Sequence, residues 1–173
     1  MNSNRSQVSL PRVDPHAAAA NLPMVQHVVK AFDSAQANVQ RRMLAQLIGQ
    51  VYELASPEVR SRLLTHLLRP LGVLSLVAVA NGMFAKFRFR GDLQSLQVHV
   101  EDANAVGVKD LTALVDFVEQ VSVDTINGLA GLLVATPGIA GTAAVVVLVS
   151  VLIKRAQSRR SSDSGLLTAE DSY

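Results

Sequence analysis

The chain is predicted to be mainly α-helical, with an amphipathic helical hairpin, a short β-hairpin and a C-terminal transmembrane helix. Three observations carry that prediction. Apolar residues recur at intervals of three and four over long stretches. The composition is aliphatic and alanine-rich, with only 4% aromatic residues. Finally, the 29 residues from Thr125 to Ile153 pass without a formal charge, and eighteen or more such residues suggest a membrane span.

Residues 1–23 read as a flexible tail: prolines stand at 11, 15 and 23, and no apolar run of signal-peptide type occurs. From Met24 to Ala55 a helical stripe is formed by Val25, Val28, Val29, Phe32, Ala35, Val39, Met43, Leu44, Leu47, Ile48, Val51 and Tyr52. Lys30, Asp33, Gln36, Arg41 and Gln50 mostly occupy the other face. Ser56, Pro57 and Glu58 are a helix start: an N-cap, a proline at the first helical position and an acid in the first turn. Residues 24–69 are therefore expected to form an amphipathic helical hairpin ending near Pro70.

Residues 70–85 are uncharged and would reach about 24 Å as one helix, short of a hydrocarbon core of about 30 Å. This stretch is expected to be either a buried helix or a second span. Over residues 86–101 the period changes to two. Lys86, Arg88 and Arg90 alternate with Phe87 and Phe89, and Leu96, Val98 and Val100 alternate with Gln97 and His99, on either side of Gly91-Asp92. That pattern predicts a β-hairpin, whose three cations are candidate contacts for lipid headgroups. Residues 102–124 are expected to hold a third amphipathic helix starting near Val108. Its stripe is Leu111, Leu114, Val115, Val118 and Val121, and its acids, Asp110, Asp116, Glu119 and Asp124, are expected on a solvated face.

Residues 125–153 are the predicted transmembrane segment. Pro137 allows two versions, one starting at Thr136-Pro137 and one running through from Ile126 with a kink. Small residues at four-residue spacing, Thr136, Ala140 and Ala144, and separately Gly131 and Ala135, are candidate helix–helix contacts. Lys154, Arg155, Arg159 and Arg160 follow as membrane-interface cations and assign the tail 154–173, basic and then disordered, to the cytoplasmic side of a plasma (inner) membrane. Charge distribution leaves one span or two open. Residues 1–69 carry +4, residues 86–124 carry −3 and the tail +1, which suits a topology with the middle segment outside.

No chemistry is legible. Cysteine is absent, the four histidines fall in separate segments, and no phosphate-cradling or nucleophile-elbow motif occurs. No cofactor, metal, small-molecule substrate or enzymatic activity is expected. A net charge of +2 gives no ground for nucleic-acid binding. The expected partners are the lipid bilayer and either a second copy or a partner membrane protein. The expected function is that of a small integral membrane scaffold, assembly or regulatory module. The alternatives are a membrane-permeabilising or channel-forming oligomer and a peripheral coat on a lipid or granule surface.

Overall fold

A computed structural model describes residues 23–89 and 97–166. All regular structure among them is helical, in this order: α1 (Pro23–Ser34), α2 (Ala37–Leu54), α3 (Pro57–Leu68), α4 (Val73–Ala78), a 3-10 turn (Ala80–Gly82), α5 (Ala85–Phe89), α6 (Val100–Asn104), α7 (Val108–Val121), α8 (Val123–Val134) and α9 (Ala143–Leu166).

The long stripe between Met24 and Ala55 is interrupted at Ala35-Gln36, so it supplies two helices. The Gln40 side-chain amide donates to the Phe32 carbonyl at 2.8 Å and satisfies the end of α1. Arg60 does the same for α2: its Nε donates to the Tyr52 carbonyl at 2.9 Å and its Nη2 to the Glu53 carbonyl at 2.8 Å. A cation there also complements the negative end of the helix dipole. The start of α3 is as expected, with Ser56 as N-cap and Pro57 in the first turn. The backbone N–H of Glu58 and, to a lesser extent, the Ser56 hydroxyl donate to the Glu58 carboxylate and hold that carboxyl below its usual range.

The helix with which α2 packs most extensively is α7, while α3 packs chiefly on α6 and also meets α8. The closest approach between α2 and α7 is at Gly49, where an added Cβ would lie 3.0 Å from Val108 Cγ1. A second tie is the Tyr52 hydroxyl, which donates to the Ala103 carbonyl at 2.6 Å and links α2 to α6.

Helix α9 lies at the centre, packed against α8, α1 and α2. Val145, Val146, Val147, Leu148 and Val149 are all buried, as are Val151 and Leu152. Successive helical residues are turned by about 100°, so five in a row point in every direction. A helix buried along five consecutive residues is covered on all sides, which requires the all-round apolar sequence seen here.

Three sequence expectations are corrected. No helix among the described residues is long and apolar enough to cross a membrane. The uncharged run Thr125–Ile153 is divided between α8 and α9 by a turn at 135–142, so neither version of a helix built around Pro137 forms. Gly138 has φ +95° in that turn, a conformation that favours glycine. The apolar part of α9, from Ala143 to Ile153, spans only about 16 Å at 1.5 Å per residue. Residues 70–85 do not form one helix either. The backbone enters the left-handed region at Ala80, Asn81 and Gly82, with φ of 49°, 55° and 78°, which separates α4 from α5.

The β-hairpin is the third correction. Lys86–Phe89 are helical, residues 90–96, including Arg90 and Gly91-Asp92, lie outside the described residues, and no strand occurs among the described residues. Phe87 is buried and meets Phe84 edge to face with ring centroids 5.9 Å apart, a pairing one helical turn makes. Residues 97–99 do alternate as expected, Val98 buried between exposed Gln97 and His99. Their partner is a helix: Val98 N–H donates to Thr65 Oγ1 at 3.1 Å, and the Ser61 hydroxyl donates to the Val98 carbonyl.

Candidate functional site

The uncharged run is the chain's most unusual feature, and the fold presents it as a helical hairpin, α8 and α9, with one member buried and the other half exposed. Ser122 starts α8: its hydroxyl accepts from Thr125 N–H at 3.4 Å and pairs with Thr125 Oγ1 at 2.9 Å. Ile126, Leu129 and Leu133 face the core. His66 of α3 holds this helix from outside, its Nε2–H donating to the Thr125 carbonyl at 2.8 Å. An added Cβ on Gly128 would lie 3.2 Å from the same ring.

Between Asp124 and Lys154 the hairpin's outer surface carries no charge. Gly128, Gly131, Val134, Ala135, Pro137, Gly138, Gly141, Ala143 and Ile153 are the exposed residues of that run. The tip bonds both of its hydroxyls internally. Thr136 Oγ1 donates to the Leu132 carbonyl at 2.6 Å, and Thr142 Oγ1 to the Ile139 carbonyl at 3.0 Å. Backbone N–H groups of Ala135, Thr136 and Thr142 bond carbonyls within the same turn. A tip without charges and with its hydroxyls bonded internally leaves water at lower cost than a charged one.

At the base of the hairpin lies a cleft of about 1000 Å³ between the ends of α1 and α7, the start of α2 and the polar part of α9. Its lining includes Asp33, Arg41, Glu119, Arg155, Arg159 and Arg160. Glu119 is 5% exposed and accepts a hydrogen bond on Oε1 from Arg155 Nη2. Glu119 Oε2 and Arg155 Nη1 are buried and make no hydrogen bond. The expected solvated face of the third helix is therefore corrected at one position: Glu119 is a buried member of an ion pair. The apolar stripe itself contained the signal, since Glu119 follows Val115 by four residues and Leu111 by eight. Val121, expected in the stripe, is exposed.

The other sequence-selected residues are distributed as follows. Among the small residues, Gly131 and Ala135 are exposed, Ala140 and Ala144 half-buried and Thr136 buried. No atom lies within 4 Å of where a Gly131 Cβ would stand, so within this chain Gly131 is not a close helix approach. Lys154 is exposed, while Arg155, Arg159 and Arg160 meet at the cleft. Lys86 is exposed and stands 5.4 Å from the Phe87 ring centre, and Arg88 falls within α5. No group of three or more histidines and acids among the described residues is arranged to hold a metal.

Comparison with known proteins finds no matching family model, no matching curated protein and no matching solved structure.

Proposed function

We propose that the protein is a membrane-associating helical module which keeps a lipid-compatible hairpin folded into its own core and yields it to a bilayer or to a partner membrane protein. The observation that carries this reading is the α8–α9 hairpin: 29 uncharged residues from Thr125 to Ile153, an uncharged exposed side and a tip whose two hydroxyls are bonded internally. Neither arm spans a hydrocarbon core of about 30 Å as folded, at 1.5 Å per residue. Entry as a re-entrant hairpin, or as one helix after the turn straightens, is the form of insertion this geometry favours. The cations Lys154, Arg155, Arg159 and Arg160 follow the apolar arm and favour a cytoplasmic base.

Because the chain has no cysteine, a single fluorophore can be attached at Ala140→Cys in the tip. Vesicles carrying quenchers along the acyl chain are expected to quench it. Equal fluorescence with and without vesicles, while the protein stays folded, would sink the proposal.

A second reading, self-association as a scaffold, is favoured by the exposed small residues Gly131 and Ala135. Crosslinking through Ala135→Cys that depends on protein concentration supports it, and a strictly monomeric protein refutes it.

A further inference from the structure

Helix α4 is apolar on both of its sides, and this chain covers only one of them. Leu76 is buried in the core, as are Leu71 before the helix and Val79 after it. Val77, Leu74 and Ala78 lie about 100°, 160° and 200° round the helix from Leu76, so they share its outer face. All three are exposed, Leu74 to 87% and Val77 to 53%. A helix with apolar residues all round is ordinarily enclosed, so the outer face of α4 lacks a cover. We infer that its cover is an anionic lipid surface, on which Leu74 and Val77 dock the protein. This surface presupposes the membrane-associating reading and gives it a point of first contact distinct from the α8–α9 hairpin.

The face is held out by a well-anchored elbow. The 3-10 turn and α5 both pack on α4, and Phe84 and Phe87 are buried in the core. Ala80 and Asn81 keep φ of 49° and 55° in that turn, a conformation that residues with side chains adopt at a cost. It folds Gly82 back so far that an added Cβ would stand 3.6 Å from the Val77 carbonyl. Charge identifies the partner. Between Glu58 and Asp92 the chain holds no acid and six cations, Arg60, Arg62, Arg69, Lys86, Arg88 and Arg90. Arg60 is engaged at the end of α2, whereas Arg62, Arg69 and Lys86 are exposed. Apolar side chains flanked by Lys and Arg suit a segment lying about 5 to 10 Å deep at the headgroup boundary. With six residues, α4 is about 9 Å long, too short to span and long enough to lie in that layer. A side chain as prominent as Leu74 needs a matching pocket in a protein partner, whereas the fluid acyl boundary receives it without one.

Flotation with phosphatidylcholine vesicles, with and without phosphatidylglycerol, tests this on the full chain and on two variants, Leu74→Ser/Val77→Ser and Lys86→Gln. The altered residues are exposed, so folding is retained and is checked by circular dichroism. Partition onto the phosphatidylglycerol vesicles is expected to fall about tenfold in the first variant and about fivefold in the second. An environment-sensitive fluorophore at Ala78→Cys is expected to shift to the blue on the same vesicles. Equal binding by the Leu74→Ser/Val77→Ser variant, or equal binding to vesicles with and without phosphatidylglycerol, overturns the inference. A label at Ala78→Cys that ignores vesicles overturns it too. If the label at Ala140→Cys is then still quenched, the hairpin reading survives alone; if neither label responds, both fall. A shift at Ala78→Cys that follows protein concentration without lipid assigns the face to a second copy and likewise overturns the inference.

Discussion

Arg155 Nη2 donates a charge-assisted hydrogen bond to Glu119 Oε1, fixing the polar part of α9 to the end of α7. The pair is largely out of water, with side-chain exposures of 14% and 4%. Removing one partner of a buried ion pair leaves the other uncompensated, at a cost of about 3 to 5 kcal/mol. Glu119→Leu and Arg155→Met are each expected to destabilise in that range, toward its lower end because Arg155 keeps some solvent contact. The double variant is expected to recover most of the loss. A double-mutant cycle in urea checks this, and additive losses would contradict it.

Two glycines of the hairpin are expected to respond oppositely to the same change. Gly131 sits within α8 with open space around it, so Gly131→Ala should stabilise by roughly 0.5 to 1 kcal/mol through helix propensity. Gly138 also has open space but φ +95°, so Gly138→Ala should cost about 1 to 2 kcal/mol through backbone strain alone. Thermal melts of the two variants decide it, and shifts of the same sign would refute the assigned turn geometry.

Tyr52 gives the fold a dependence on alkaline pH. Burial pushes its hydroxyl up from 10.0 to about 12, against a smaller downward pull from Arg60. The native state thus holds this proton more tightly than the unfolded chain does. The stabilisation is complete below pH 10 and is lost as pH rises through about 12. Tyr52→Phe removes the hydrogen bond to Ala103 and leaves its buried carbonyl short of a partner, at about 1 to 2 kcal/mol. Denaturation across this pH window should show wild type and variant converging, and a constant gap would contradict the assignment.

Val98 depends on two side-chain hydroxyls for its backbone pairing. Ser61→Ala and Thr65→Val should each cost about 1 to 3 kcal/mol by leaving a buried backbone group unpaired. Hydrogen exchange at Val98 N–H should accelerate in Thr65→Val and much less in Ser61→Ala. Equal acceleration in both would mean that Thr65 is not the acceptor.

The elements most readable from sequence were those with local signals. Ser56-Pro57 marks the start of α3, and the stripe from Leu111 to Val118 marks α7, because caps and periodicity act within a few residues. The alternation at Gln97-Val98-His99 was equally readable as extended chain. Its partner was not, because hydroxyls on a helix replace a neighbouring strand and no local rule anticipates that. Helix α9 shows the deeper limit. Hydropathy reports that a segment avoids water, and a helix enclosed by others avoids water as completely as one in lipid. The cleft was half legible. Arg155, Arg159 and Arg160 stood out as a basic cluster, whereas Asp33, Arg41 and Glu119 read as ordinary surface residues until packing brought α1, α2 and α7 beside α9.

The position of α9 also sets an order of events during synthesis. Its neighbours α1, α2 and α8 all precede it in the chain, so the surrounding helices leave the ribosome before the one they enclose. From Ser34 to Ala143 is just over a hundred residues, which takes on the order of 5 to 20 seconds at typical elongation rates. Throughout that interval α1 lacks the helix it packs on most extensively, and α2 lacks the partner for the part of its surface that meets α9. A chaperone or a bilayer that meets the nascent chain then competes with Val145–Leu152 for the same apolar faces.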